Sequence, residues 1–83
     1  MTHLFRLNIY SQEKTLYDGE IFSLIAPGES GYLGVLANHA PLIANLVPGK
    51  ITIKDNQGKE NTIQLQSPGF LEVSKNMAKV LLI

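Results

Sequence analysis

The chain has 83 residues with seven basic and seven acidic side chains, so it allows one domain, residues 1–83, and offers no basic excess for binding nucleic acid. Its hydrophobic content of 45% argues against disorder, and the absence of cysteine excludes disulfides, thiolate zinc sites and cysteine nucleophiles. No apolar run approaches the roughly 20 residues of a membrane span, and residues 1–6 lack the layout of a signal peptide. We therefore expect a soluble domain that reaches a membrane only through a partner.

The first half of the chain consists of short apolar segments separated by turn residues. Phe5, Leu7 and Ile9 alternate with polar residues, which predicts a half-buried strand. Pro and Gly cluster at residues 27–31 and predict a break in the chain. Further strands are predicted over residues 17–26, 32–36 and 41–47.

A hairpin is predicted in the second half of the chain. Ile51 and Ile53 alternate with polar residues in one strand. Ile63 and Leu65 do the same in the next, so the two pairs are expected to face each other. Residues 55–58 read Asp-Asn-Gln-Gly and form the predicted turn, because Asn and Gly tolerate the positive φ that hairpins require.

A last hairpin joins residues 70–74 to residues 78–83 through a turn at Lys75 and Asn76. No window of helical length shows a sustained apolar stripe, and turn signals recur about every 8–12 residues. This spacing is typical of sandwiches and barrels. We predict an all-β domain, a β-sandwich of two packed antiparallel sheets.

Two of the predicted strands, residues 20–26 and 42–47, carry apolar side chains on both faces. A sandwich strand needs only one apolar face. The second face therefore either covers a partner or is itself covered by barrel closure or a loop. Both explanations stay open at this point.

Residues 31–49 are largely uncharged and are rich in Gly, Pro and apolar side chains. The glycines of residues 28–34 do not form a phosphate-binding loop, because no Lys-Ser/Thr pair and no helix follow them. Pro41 restricts Ala40 to an extended conformation, and Pro48-Gly49 has the composition of a type II turn. A rigid apolar segment loses little entropy on docking, which favours protein recognition.

The two histidines, His3 and His39, match no metal-binding motif, and we expect neither a metal nor a cofactor. His39 could in principle join a serine and an aspartate in a hydrolase triad, but no serine lies in a nucleophile elbow. A structural role is favoured, in which the His39 ring bonds backbone groups of its own loop. The serines available to such a triad are Ser11, Ser23, Ser30, Ser67 and Ser74.

Three short motifs resemble the signature of one family. Gly31-Tyr-Leu-Gly34-Val-Leu, Asn38-His39-Ala40-Pro41-Leu42 and Pro48-Gly49 are similar to the signature of the epsilon subunit of F-type ATP synthases, called delta in mitochondria. Residues 5–11, 17–20 and 67–73 resemble further strands of that family, so the resemblance covers essentially the whole chain in order. The chain departs from this signature at three positions. The family often has Pro where Ala37 stands, an acidic or polar residue where Tyr32 stands, and Gly where Pro68 stands.

The resemblance implies a sandwich of about ten short strands that acts, without catalytic residues, as a rotor subunit in the central stalk. It implies contacts with the gamma subunit and the membrane-embedded c-ring, and a peripheral location on the cytoplasmic face of an energy-transducing membrane, such as a bacterial inner membrane. Carried over by position, the c-ring contacts are Glu29, Ser30, Gly31 and Tyr32, and the gamma contacts are Ser11, His39, Ala40, Leu42 and Ala44.

Family members usually continue into a C-terminal helical hairpin, whereas this sequence ends at Ile83. We expect no such hairpin in these residues, either because the protein is naturally short or because the sequence is truncated. The alternative function is a stand-alone β-sandwich that binds a small ligand such as a sugar. Sugar-binding modules usually display a row of exposed aromatic rings, and aromatic residues make up only 7% of this chain.

Overall fold

The computed structural model describes residues 3–83, and over that range the chain forms eight β-strands and no helix. The strands are β1 (Phe5–Tyr10), β2 (Thr15–Gly28), β3 (Gly31–Leu36), β4 (Leu42–Leu46), β5 (Gly49–Asp55), β6 (Glu60–Leu65), β7 (Gly69–Ser74) and β8 (Met77–Leu82). The prediction of an all-β sandwich is confirmed. The described residues contain eight strands where about ten were expected, and β2 alone is one continuous strand of 14 residues.

The strands pair in two groups that share β2. In the first layer, the first half of β2 pairs with β1, followed by β8, β7 and β4. In the second layer, the second half of β2 lies between β3 and β5, and β6 pairs with β5. A single pairing of Gly28 with Leu46 links β2 to β4, so the eight strands form one sheet folded into two layers.

Strand β2 bends where it passes from one layer to the other. A straight strand of this length would extend about 46 Å, but the longest dimension of the molecule is 35 Å. The register shifts between Ile21 and Ser23, and a bulge at that point increases the local bend and twist. Phe22 lies at this bulge, and its side chain is partly exposed.

One strand pair departs from the predicted antiparallel arrangement. Strands β1 and β8 run parallel, with Leu7 opposite Ala78 and Ile9 opposite Val80. The first and last strands of the chain are not joined by a short turn, so no hairpin forces them to run in opposite directions.

The core lies between the two layers and follows the alternation read from the sequence. Phe5, Leu7 and Ile9 are buried, as predicted, and Ile51 and Ile53 are buried in the second layer. The remaining core side chains also come from both layers: Ile21, Leu24, Ala26, Val35, Leu46, Leu65, Leu71, Val73, Ala78, Val80 and Leu82.

Both predicted hairpin turns are confirmed. Gly58 has φ 79° and donates its N–H to the Asp55 carbonyl at 3.0 Å, whereas Lys75 and Asn76 have φ 52° and 58°. One detail of the expected facing pairs was wrong. Ile63 lies opposite Ile51, but Leu65 lies opposite Gly49, because Lys54 and Glu60 close the hairpin and fix the register.

Two predicted chain breaks differ in the structure. β2 continues through Pro27 and Gly28, because the Pro27 carbonyl accepts the Val47 N–H at 3.0 Å and the missing Pro27 N–H is not needed there. Pro48-Gly49 is a bend and not a type II turn. Gly49 already begins β5, pairs with Leu65 and has an almost fully extended φ of 159°.

Candidate partner-binding site

The four residues assigned to the ring side, Glu29, Ser30, Gly31 and Tyr32, form the tip of the β2–β3 hairpin. Gly28 pairs with Gly31, and Glu29 and Ser30 make the turn between them. Gly31 has φ 126°, a conformation that side chains rarely adopt, and a Cβ on Gly28 would lie 2.7 Å from the Gly31 carbonyl oxygen. All four side-chain positions from 29 to 32 are exposed, so the structure brings them together as one accessible tip.

This tip is anchored to the first layer by two backbone hydrogen bonds. The Glu29 N–H donates to the Asn45 carbonyl at 3.0 Å, and the Val47 N–H donates to the Pro27 carbonyl at 3.0 Å. An exposed turn bonded on its flank to a neighbouring strand is more restrained than a free loop. The tip therefore presents Glu29 and Ser30 from a fixed backbone.

Tyr32 lies on the outer face of the second layer, with 63% of its surface exposed. It pairs with Pro27 across the hairpin, and a Cβ on Gly49 would lie 3.6 Å from its hydroxyl oxygen and 3.1 Å from the Pro27 Cβ. The ring thus approaches the backbone of Gly49, where a larger side chain would crowd it. An exposed tyrosine held in this way offers both an apolar ring and a hydroxyl to a partner.

The connection between β3 and β4, residues 37–41, contains two of the residues assigned to the gamma side. His39 is half-buried, and its Nδ1 lies 2.6 Å from the Ala40 carbonyl oxygen, so Nδ1 carries the proton and donates it. This contact confirms the predicted bond between the ring and its own loop. No hydrogen bond joins His39 to a serine or an aspartate within residues 3–83, so the triad geometry is not formed there.

Leu42 and Ala44 lie on the half-buried face of β4, and Leu42 packs against the core. Ile43 points the opposite way and is 79% exposed, the largest exposure among the large apolar side chains of residues 3–83. The sequence analysis did not select Ile43. The period-two alternation of β4 could have identified it, because Leu42, Ala44 and Leu46 share the inward face and position 43 therefore faces outward.

Ser11 caps the turn between β1 and β2. Its Oγ accepts the Lys14 N–H at 3.2 Å and the Glu13 N–H at 3.4 Å, and its own N–H donates to the Lys14 carbonyl at 2.9 Å. These bonds explain a serine at this position without any partner, since Ser commonly stabilises such turns.

The strand register separates the assigned residues into two ends. Tyr10, Leu81, Phe70 and Asn45 are successive cross-strand partners, so Ser11 follows β1 at the same end of the first layer as the β2–β3 tip. Leu42 lies opposite Val73 at the other end, together with the connection that contains His39 and Ala40. The structure thus brings the ring-side residues together and places Ala44 beside them, because Ala44 lines one cavity with residues 28–33. It places Ser11 at the tip end as well, away from His39, Ala40 and Leu42.

The two strands with apolar side chains on both faces keep part of the second face in solvent. Phe22, Ile25 and Leu36 are exposed on or beside the second layer, and Ile43 is exposed on the first. No loop within residues 3–83 covers these side chains fully. This observation favours the explanation that they face a partner over the explanation that they are covered within the domain.

The pKa values of Tyr17 and Asp55 are shifted, and neither residue is among those assigned to a partner. Burial, and secondarily the negative charge of Asp55, raises the pKa of Tyr17 above its usual value. The backbone N–H groups of Lys59 and Gln57 hold the pKa of the Asp55 carboxyl below its usual value. Tyr17 lies on β2 and Asp55 at the end of β5, where the Asp55 carboxylate stabilises the β5–β6 turn.

Within the part of the chain that the structure describes, no cluster of three or more His, Cys, Asp or Glu side chains is arranged to bind a metal ion. No helix in residues 3–83 is long and apolar enough to cross a membrane.

Curated relatives match nearly the full chain. The epsilon chain of ATP synthase from Dichelobacter nodosus is 38% identical over 81 residues, covering 98% of this chain and 56% of the relative. The epsilon chain from Leptospira borgpetersenii is 40% identical, covering 95% of this chain and 61% of the relative. The epsilon chain from Chlorobaculum tepidum is 44% identical, covering 93% of this chain and 86% of the relative. The chain thus spans just over half the length of the first two relatives.

Two solved structures share the fold at low sequence identity. A chain of the mitochondrial ATP synthase of Euglena gracilis, from a structure of OSCP, F1 and c-ring, superposes with a TM-score of 0.88 at 20% identity, covering 99% of this chain and 52% of that one. A chain from the central stalk and c-ring of the Tetrahymena thermophila mitochondrial enzyme gives a TM-score of 0.78 at 13% identity, covering 100% of this chain and 66% of that one.

A family model extends over almost every residue. The model described as the ATP synthase delta/epsilon chain, beta-sandwich domain, matches residues 4–82. The motifs that suggested this family all lie inside that match, as do the β2–β3 tip and the β3–β4 connection. The chain belongs to the delta/epsilon family of ATP synthase subunits, whose β-sandwich domain it contains.

Proposed function

We propose that this chain works in the rotating central stalk of an F-type ATP synthase, where it links the gamma subunit to the c-ring. In this role it transmits torque and so couples ion translocation to ATP synthesis, and it contributes no catalytic residue. Family membership over residues 4–82 supports the proposal. We also propose that residues 1–83 form a single domain, since the eight described strands share one sheet and one core.

The observation that carries the proposal is the placement of two exposed segments at opposite ends of β3. The β2–β3 tip precedes this strand and the β3–β4 connection follows it. Six residues of strand separate the two segments by about 20 Å. A subunit that joins two partners needs two such surfaces on a stiff body, and a closely packed β-sandwich deforms little.

We assign the tip, Glu29, Ser30, Gly31 and Tyr32, to the c-ring, and the β3–β4 region with His39, Ala40, Leu42 and Ala44 to gamma. Ser11 is also assigned to gamma, although it lies at the tip end. A gamma contact at Ser11 therefore requires a gamma surface that extends along the length of the sandwich.

The location that accompanies this role is peripheral, on the cytoplasmic face of an energy-transducing membrane. The chain would be held there by gamma and the c-ring and not by lipid. The exposed polar tip, with Glu29 and Ser30 in the turn, is suited to contact the polar loops of a membrane-embedded ring.

The alternative, a sandwich that binds a sugar, finds less support. Phe70 is exposed on the first layer, whereas Tyr32 and Phe22 belong to strands of the second layer and lie near opposite ends of it. The exposed rings of residues 3–83 therefore do not form the row on which a sugar could stack.

Substitution at the tip tests the proposal in enzyme reassembled from this chain and its cognate subunits. We expect Tyr32→Asp to lower ATP-driven ion pumping severalfold while changing the melting temperature by no more than about 2 °C, because exposed substitutions cost little stability. On β4, Ile43→Asp is a better probe of partner contact than Leu42→Asp, because Ile43 is 79% exposed whereas Leu42 also packs on the core.

Thr62→Asp is the matched control, because Thr62 is exposed on β6 of the same layer and away from both segments. It is expected to leave pumping and melting temperature unchanged. Failure of the wild-type chain to co-purify with gamma and the c-ring would contradict the proposed function. If Tyr32→Asp lowers the melting temperature well beyond about 2 °C as well as pumping, Tyr32 instead stabilises the fold.

A further inference from the structure

Asn76, in the turn between β7 and β8, joins three segments that are distant in the sequence. Its side-chain Oδ1 accepts the Asn38 N–H at 2.8 Å, and its Nδ2 donates to the Leu4 carbonyl at 2.9 Å. Its backbone carbonyl accepts the Arg6 N–H at 3.3 Å. One residue thus connects the β7–β8 turn, the segment before β1 and the β3–β4 connection.

The chemistry of this junction requires an asparagine. A primary amide is the only small side chain that presents a donor and an acceptor in fixed geometry, and both are used here. Asn76 also has φ 58°, and Asn tolerates this left-handed conformation better than most residues. Lys75 has nearly the same φ of 52°, but its side chain makes no hydrogen bond within residues 3–83.

The hydrogen bond from the Asn38 N–H to Asn76 lies where β3 ends and the β3–β4 connection begins. Asn38 itself has φ 61°, so the chain reverses there in a conformation that needs support. The next residues are His39 and Ala40, followed by Pro41 and the start of β4 at Leu42. The direction in which these residues leave the sandwich therefore depends on the backbone of Asn38.

We propose that Asn76 is a positioning residue for the partner-binding connection. It holds the Asn38 backbone and thereby sets the orientation of the segment from His39 to Leu42 towards its partner. This inference rests on the proposed function, in which that segment contacts gamma. It assigns to the β7–β8 turn, which is hydrogen-bonded to the connection through this amide, a role in recognition beyond its role as a turn.

The test compares Asn76→Gly with Lys75→Gly in the full chain. Both substitutions place glycine at a left-handed position of the same turn, but only Asn76→Gly removes the acceptor of the Asn38 N–H. We expect amide hydrogen exchange at Asn38 to become about three- to tenfold faster in Asn76→Gly, corresponding to the net worth of one hydrogen bond. Exchange at Met77, which pairs with Ser74 in the same hairpin, is expected to stay unchanged.

Binding to the cognate gamma subunit is the second measurement. We expect the Kd to rise about three- to tenfold in Asn76→Gly and to stay unchanged in Lys75→Gly. Asn76→Asp retains an acceptor for the Asn38 N–H but loses the donor to Leu4. It is expected to keep slow exchange at Asn38 and near wild-type binding, and it tests the same bond if Asn76→Gly does not fold.

Unchanged exchange at Asn38 in Asn76→Gly would overturn the positioning role. Faster exchange at Asn38 with unchanged gamma binding would overturn its connection to recognition, as would equal weakening by Lys75→Gly. If the wild-type chain does not bind gamma, the proposed function fails, and exchange at Asn38 alone then decides whether Asn76 orders the connection.

Discussion

Asp55 stabilises the β5–β6 turn through its side chain as well as its backbone. Its Oδ1 accepts the N–H groups of Gln57 and Lys59, both at 2.9 Å. The turn itself could be predicted, because Asp, Asn and Gly have strong local preferences for turn conformations. Local preference also identified the turn at Lys75 and Asn76.

The pH dependence of stability should report the bonds of Asp55. Its pKa is lowered in the folded chain by the Lys59 and Gln57 N–H groups. Such a carboxylate stabilises the fold above its unfolded pKa of about 3.9, and the contribution is lost as the pH falls through the lower folded-state pKa. We expect the free energy of unfolding to fall more steeply below about pH 4 in the wild type than in Asp55→Asn.

Urea denaturation at a series of pH values between neutral and about 2.5 measures this difference. Glu13→Gln is the control, because the Glu13 carboxylate is exposed and accepts no hydrogen bond within residues 3–83. Identical pH profiles for the wild type and Asp55→Asn would show that the carboxylate bonds do not contribute.

The two hydrogen bonds of the Asn76 amide could not be predicted from the sequence. They join positions that are 38 and 72 residues apart, and neither partner carries a local signal for the other. Only the folded topology brings Leu4, Asn38 and Asn76 to the same end of the sandwich.

Strand β2 shows how tertiary pairing overrides local preference. Pro27 and Gly28 predict a break, yet both remain in the strand. β3 pairs along one side, and on the other side the Pro27 carbonyl accepts the N–H of Val47, the residue after β4. The sequence therefore predicted the existence of β2 and β3 but not their true boundary. The same tertiary contacts explain why Gly49 is extended beside Pro27 instead of forming a turn.

The close approach within the β2–β3 hairpin gives a prediction for Gly28. An added Cβ would lie 2.7 Å from both the Gly31 carbonyl oxygen and Leu33 Cδ2, so the backbone of the hairpin would have to move. We expect Gly28→Ala to lower the free energy of unfolding by about 1–3 kcal/mol, as overpacking usually does. Urea denaturation of the purified chain measures the loss.

Gly34→Ala serves as the control within the same hairpin. The nearest atom to its added Cβ is the Leu24 carbonyl oxygen at 3.9 Å, an ordinary contact distance. We expect this variant to change the free energy of unfolding by less than about 1 kcal/mol. Equal effects of the two substitutions would contradict the steric account of Gly28.

The whole molecule depends on a thin core that both layers supply. Alternation in the sequence predicted the inward faces of β1, β5 and β6, because burial of one face is a local property of a strand. Three other features were not predictable in the same way. They are the parallel pairing of β1 with β8, the extension of β2 through both layers, and the placement of Ser11 at the tip end. They depend on which strands meet, and the sequence has no local signal for that.

Adjacent residues of β2 test the two-layer core. Leu24 is fully buried between the layers, whereas the next residue, Ile25, is 46% exposed. We expect Leu24→Ala to lower the free energy of unfolding by about 2–5 kcal/mol, a large share of the roughly 5–15 kcal/mol typical of a domain. Ile25→Ala is expected to cost less than about 1 kcal/mol.

Thermal denaturation followed by circular dichroism compares the two variants under the same conditions. A similar melting temperature for both would mean that Leu24 is not enclosed as the structure describes. A large loss in Ile25→Ala alone would indicate that the outer face of β2 is covered in the free protein.

Strand β3 pairs with β2 alone among the described strands, and it covalently joins the β2–β3 tip to the β3–β4 connection. A force pulling these two segments apart acts along the axis of β3. The covalent backbone of β3 carries that force, and the pairs from Ser23–Leu36 to Gly28–Gly31 hold this backbone extended against β2. Strand β3, although it pairs on one side only, therefore carries the tension between the two segments.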